Sequence, residues 1–196
     1  DCPDADVVTV ADGLFRELSG VATPVGILGV IEVPPTPDEN IPGGCVMLDA
    51  VQDAGNVGAI LRTAAAAGIG DVVLGPGCAG VWTPRVLRAA QGAHFSLRLH
   101  EGVLLEAFVR RFHGESLAAM AGQGDSLFRL DLSGDVAWIF GNEGSGISAG
   151  LADMATRRVT IPLASTTESL NVAAAAAVCL FESRRQQNLE KRGKKK

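Results

Sequence analysis

Residues 1 to 183 contain no lysine. Their ten arginines meet twenty-one carboxylates, a net charge of −11, whereas residues 184 to 196 hold seven Lys or Arg against Glu190 alone, a net +6. So acidic a body argues against a protein that coats nucleic acid without selectivity, because such binding needs many cations to neutralise phosphates. It leaves room for an enzyme that grips RNA locally with a few arginines. Cysteine is sparse and scattered. Cys2, Cys45, Cys78 and Cys179 form no CxxC pair and have no His at ligand spacing, so neither a disulfide framework nor a metal site is expected, and a reducing cytoplasm is the natural setting. No apolar run is long enough to span a membrane without Gly, Pro or charge interrupting it. The opening Asp1-Cys2-Pro3-Asp4-Ala5-Asp6 has neither the basic start nor the apolar run of a secretory signal. Beginning at Asp rather than Met, the chain reads as a piece of something longer, and it has no internal repeat.

What is present suffices for one sizeable core: 196 residues, 47% of them hydrophobic and 20% charged. Residues 1 to 24 read as a short strand, Val7 to Val10, and a helical piece around Leu14 to Leu18, too little to fold alone. From Val25, short β-rich runs alternate with Ala-rich helical ones. Strands are expected at Ile27 to Val33, Cys45 to Ala50, Asp71 to Leu74, Ser96 to Leu99, Ser116 to Ala121, Val136 to Phe140 and Arg158 to Ile161. Continuous apolar runs such as Val136 to Phe140 suit strands buried on both faces. Val57, Ile60, Leu61 and Ala64 share one helix face, as do Leu170, Ala174, Ala177, Val178 and Phe181 on another. This alternation predicts an α/β fold, a parallel sheet with helices on both sides. Residues 188 to 196 are expected to be a basic, mobile tail, with an RNA-contacting extension as the alternative.

Ligands of such sheets gather at the carboxyl ends of strands, which directs attention to three stretches. In residues 48 to 64, Asp53 is placed to cap the following helix, and Gly55 and Gly58 permit close approach to its first turn. Arg62 is a lone cation in an otherwise apolar helix: either a surface or paired structural ion, or a fork donor for phosphate or carboxylate. In residues 139 to 148 a strand runs into a loop with glycines at 141, 144 and 146. Their spacing is GxxGxG rather than the GxGxxG of dinucleotide sites, and Glu143 suits a phosphate cradle poorly. In residues 159 to 172, Thr167 or Ser169 can cap the final helix, whereas Asn171, a weak helix former, invites a hydrogen bond to a ligand or a neighbouring loop.

Taken together and in order, Gln-Asp-x-Gly-Asn-x-Gly-x-Ile-x-Arg-Thr-Ala at 52 to 64, Gly-x-Glu-Gly-x-Gly at 141 to 146 and Ile-Pro-(x)6-Ser-Leu-Asn-Val at 161 to 172 closely resemble the SpoU (TrmH-type) family of SPOUT methyltransferases. The resemblance covers about residues 22 to 187. It implies S-adenosylmethionine-dependent methylation of a ribose 2′-hydroxyl in ribosomal or transfer RNA by a homodimer. It also implies a C-terminal trefoil knot, which pattern rules would not propose, since knots are nearly absent from proteins. By the same resemblance residues 1 to 24 are the end of a small RNA-binding domain with its linker, and 25 to 187 the catalytic domain. Gly141, Ile161, Leu163 and Leu170 match cofactor-holding positions; Asn56, Arg62, Glu143, Ser169 and Asn171 match the polar positions of the active site. Ala54 stands where the family usually has Pro, a difference expected to affect turn stiffness more than chemistry.

On this reading Asn56, Glu143 and Asn171 orient Arg62 and the ribose, while Ser169 binds the nucleotide or braces its loop. A guanidinium stays protonated and makes a poor general base, so Arg62 is expected to hold a phosphate or stabilise the developing alkoxide. Two competing readings are a non-catalytic RNA-binding or ribosome-assembly protein on the same fold and a nucleotide-dependent oxidoreductase.

Overall fold

The computed structural model describes residues 6–38 and 40–193. It divides at Pro34 and Pro35 into two units. In the first, helix α1 (Asp12–Ser19) stops at Gly20 in the left-handed conformation. The strands expected at Val7 to Val10 and Ile27 to Val33 do not form. Gly26, at φ +87°, turns the chain immediately before the second run, and Ile27 and Val30 within it are more than four-fifths exposed, so no apolar face is buried to hold a strand in register.

The second unit carries seven strands: β1 (Cys45–Asp49), β2 (Asp71–Leu74), β3 (Arg98–Glu101), β4 (Glu115–Ala119), β5 (Asp125–Ser126), β6 (Val136–Gly141) and β7 (Arg157–Thr160). All their pairings are parallel, in the order β3-β2-β1-β6-β4-β7-β5. The expected β2 is matched residue for residue. Strand β3 lies two residues beyond its expected place because Ala93–Ser96 is taken up by a 3-10 turn after left-handed Gly92.

One face is covered by α2 (Ala54–Ala67), α3 (Pro84–Ala90) and α6 (Val172–Gly193), and the other by α4 (Leu105–Arg111) and α5 (Ala149–Met154). Central β6 is buried along its whole length, as two covered faces require. Helix α2 buries the expected Val57, Ile60, Leu61 and Ala64. At Gly58 the α3 backbone comes so close that an added Cβ would lie 2.4 Å from Ala89 Cβ and 2.9 Å from Val86 O.

The stripe expected on α6 is rotated. Ala176, Cys179, Leu180 and Ser183 face the core, while Leu170 and Phe181 are 39% and 48% exposed. An alanine-rich helix satisfies the helical period on several faces, and the choice is made by the sheet: buried Trp138 Nε1 donates to Ser183 Oγ (2.9 Å), which donates to Cys179 O (3.2 Å). Helix α6 runs through Gly193, into the stretch read as a mobile tail; residues 194–196 lie outside the described residues. Burial pushes the thiols of Cys45 and Cys179 up to about 12, so both behave as core apolar groups.

Candidate active site

The carboxyl ends of β1, β6, β4 and β7 adjoin in the sheet, and the loops leaving them converge. A cavity of about 610 Å³ opens there, bounded by Ala119 to Ala121 at the end of β4, residues 140–146, Ile161 and Leu163 after β7, and the entry to α6 from Ser169 to Val172. Its walls are mainly backbone and aliphatic side chain, with Glu143, Ser169 and Asn171 as polar edges.

The glycine loop is tightly folded. Asn142 and Gly146 exchange two backbone hydrogen bonds, Asn142 N to Gly146 O at 3.0 Å and Gly146 N to Asn142 O at 2.9 Å, with Gly146 at φ +71°. Gly141 lies under this closure: a Cβ there would meet Gly146 C at 2.2 Å and Ile147 N at 2.3 Å. Only a residue without a side chain fits. At the far side of the loop, Ser148 N donates to Asp49 Oδ2 (2.7 Å), placing a carboxylate before α5.

From this loop Glu143 reaches across to the segment joining β1 to α2. Its Oε1 accepts from Asp53 N (3.2 Å) and Asn56 Nδ2 (3.0 Å), and its Oε2 from Gln52 N (3.3 Å). Asn56 Oδ1 in turn accepts from Asn171 Nδ2 (2.9 Å). Asn171 Oδ1 accepts from Ala173 N and Ala174 N, at 2.9 and 3.2 Å, so Asn171 is the N-cap of α6, a role the sequence suggested for Thr167 or Ser169. Asp53 caps α2 as expected, accepting from Asn56 N at 2.8 Å.

This chain has one sense. Because Asn171 Oδ1 faces the helix N–H groups, its Nδ2 must point to Asn56; Asn56 then presents Oδ1 to Asn171 and Nδ2 to Glu143. Glu143 receives only donors and is required as a carboxylate. Partial burial pushes its carboxyl up, but the hydrogen bonds from Asn56 and from backbone N–H groups outweigh this and hold it below the ordinary range.

The structure thus brings together Gly141, Glu143, Ile161, Leu163, Ser169, Leu170 and Asn171 around one cavity and links Asn56 to it by hydrogen bonds. Arg62 stands apart. It is exposed, further along α2, and no described hydrogen bond or ion pair engages it. Asn56, Glu143 and Asn171, expected to orient Arg62, make no hydrogen bond to it among the described residues; they are linked to one another and to neighbouring backbone N–H groups. Asn142, which the motif treats as a variable position, and the β4 end were missed, because neither belongs to a glycine or polar signature in its own stretch. Among the described residues no group of His, Cys, Asp and Glu is arranged to hold a metal ion, and no helix is long and apolar enough to cross a membrane.

Residues 44–181, which contain the whole constellation, match the model of the SpoU rRNA Methylase family. The chain belongs to that family. Among curated proteins it is 34% identical over 183 residues to a 23S rRNA (guanosine(2553)-2′-O)-methyltransferase of Bacillus subtilis, covering 89% of this chain and 71% of that protein. It is 39% identical over 145 residues to an uncharacterized tRNA/rRNA methyltransferase of Synechocystis, covering 72% of this chain and 53% of that one. The chain therefore spans about half to seven-tenths of the length of these relatives. In structure it is similar to the AdoMet-bound rRNA methyltransferase of Sinorhizobium meliloti, with a TM-score of 0.83 and 27% identity over 89% of this chain and 70% of that one. It is also similar to the SpoU methyltransferase AviRb of Streptomyces viridochromogenes in complex with AdoMet, with a TM-score of 0.77 and 26% identity over 92% and 81% of the two chains.

Proposed function

We propose that this SpoU-family chain transfers a methyl group from S-adenosylmethionine to a ribose 2′-hydroxyl of ribosomal or transfer RNA. The observation that carries the reading is the cavity at the glycine loop, closed on one side by the directional chain Asn171–Asn56–Glu143. Its residues fit the cofactor. Aliphatic walls from Ile161, Leu163 and Leu170 suit an adenine ring and a thioether-like chain, the side-chain-free Gly141 lets the loop that bounds the cavity close tightly, and the Glu143 carboxylate complements a cationic ligand. When bound, S-adenosylmethionine supplies a methyl group already activated by its sulfonium charge.

The protein has then to align the ribose oxygen and favour its ionised form. Glu143, committed as an acceptor, fixes the β1–α2 segment against the cavity rather than abstracting a proton. Asn171 and Asn56 hold the entry to α6 in register with it. Ser169, at the rim, is assigned to the nucleotide. Arg62, cationic and uncommitted to the described residues, holds a phosphate of the target or stabilises the developing alkoxide as the hydroxyl proton passes to solvent water. We assign the trefoil knot and homodimer implied by the SpoU resemblance, and a cytoplasmic site of action beside RNA, to the same reading. A non-catalytic RNA-binding role is disfavoured because Asn56, Arg62, Glu143 and Asn171 are all present, and three of them, Asn56, Glu143 and Asn171, are hydrogen bonded to one another.

Arg62→Ala is expected to abolish methyl transfer while retaining calorimetric binding of S-adenosylmethionine; near-normal turnover would remove the role given to Arg62. Saturable binding of NAD without binding of S-adenosylmethionine would favour the oxidoreductase reading. Incubation of the protein with ribosomal and transfer RNA pools and a radiolabelled methyl donor, followed by mapping of the labelled ribose, identifies the substrate.

A further inference from the structure

Asn142 belongs to none of the roles above, yet its side chain makes more hydrogen bonds than any other in the glycine loop. Its Nδ2 donates to Ala50 O (2.8 Å), and its Oδ1 accepts from Gly144 N (2.9 Å), Ser145 N (3.0 Å) and Ser145 Oγ (3.2 Å). Ala50 has φ +53°, a left-handed conformation unusual for alanine. It immediately follows β1 and directs the chain into the segment whose Gln52 and Asp53 N–H groups meet Glu143. One amide therefore fastens both partners: its oxygen shapes the loop that carries Glu143, and its nitrogen anchors the turn that presents the donors to Glu143.

We infer that Asn142 is a positioning residue for the methyl-transfer site, setting the gap between the glycine loop and the β1–α2 segment and so the seat of the Glu143 carboxylate. The inference rests on the methyltransferase reading for its consequence but not for its geometry. The side-chain requirement is narrow. Aspartate keeps the acceptor for Gly144 and Ser145 but turns an oxygen toward Ala50 O, and alanine removes both functions. Ionisable groups near the same seat are Asp49 at the end of β1, Asp53 before α2 and Cys78. None supplies a substitute donor to Ala50 O.

The test compares Asn142→Ala and Asn142→Asp with the wild-type chain. Hydrogen–deuterium exchange should show Gln52 and Asp53 amides exchanging about tenfold faster in both variants, the effect of losing roughly one hydrogen bond, while β6 stays as protected as before. Turnover on the RNA substrate should fall about tenfold or more in both, and the acid limb of the pH–rate profile should move to higher pH as the hydrogen bonds to Glu143 loosen. A merely structural role would lower protection in β6 together with the loop and leave the acid limb in place. Unchanged exchange at Gln52 and Asp53, or wild-type exchange restored by Asn142→Asp, overturns the inference. If the wild-type chain methylates no RNA, the functional reading fails, and the exchange data still decide the role of Asn142.

Discussion

Gly141→Ala is the most direct probe of the cavity. The added Cβ would sit 2.2 Å from Gly146 C, 2.3 Å from Ile147 N and 2.4 Å from Gly146 O. All three are backbone atoms, so no side-chain rotation relieves the contact. Reaching an ordinary separation needs a displacement of about 1 Å, which the paired hydrogen bonds between Asn142 and Gly146 cannot follow without opening. Overpacking of this kind costs about 1–3 kcal/mol. In a domain of this size that corresponds to a fall in Tm of about 2–12 °C. Because the displaced backbone is the cavity wall, the loss should be larger for the ligand than for the fold: S-adenosylmethionine affinity, measured by calorimetry at a temperature well below the variant's Tm, should fall by about tenfold or more. A Gly141→Ala protein with wild-type Tm and wild-type affinity would refute both the tight closure of the loop and the assignment of the cavity.

Ser183→Ala leaves buried Trp138 Nε1 without its acceptor. A loss of about 1–3 kcal/mol, seen as a lower urea midpoint, is expected, with S-adenosylmethionine binding intact at low temperature. Glu143 gives a pH signature. Its folded carboxyl titrates below its ordinary value of 4.5, so its stabilising contribution is complete above that pH and is lost as pH falls through the folded value. The difference in urea midpoint between wild type and Glu143→Gln should therefore be constant at neutral pH and shrink below about pH 4.5; a difference that grows on acidification contradicts the acceptor role.

Much of the site was legible because its chemistry is local in sequence. Asp53 before an apolar-periodic helix reads as a cap and is one. The run Val136 to Phe140 reads as a doubly buried strand and is one. The three strand-end motifs announce residues at the carboxyl edge of a parallel sheet, and that edge is where the cavity lies. Three features resisted. The stripe on α6 was misplaced because alanine fits either side of a helix, and the Trp138–Ser183 contact that selects the face joins residues 45 positions apart. Ile27 to Val33 has strand composition, but a strand needs a partner and a covered face, and among the described residues it has neither. Asn142 carries no local signature, since its hydrogen bond to Ala50 O spans 92 positions.

The division between sequence and tertiary structure follows from range. Short-range rules, period, cap and glycine turn, determined the class of fold and the extent of most strands, and the family resemblance of three motifs named the polar residues of the site. The tertiary structure decided which of them touch. It tied Glu143, Asn56 and Asn171 into one directional chain and left Arg62 outside it. The reason is the sheet order: β1 and β6 are neighbours though far apart in sequence, and only that pairing sets the glycine loop against the segment that feeds α2.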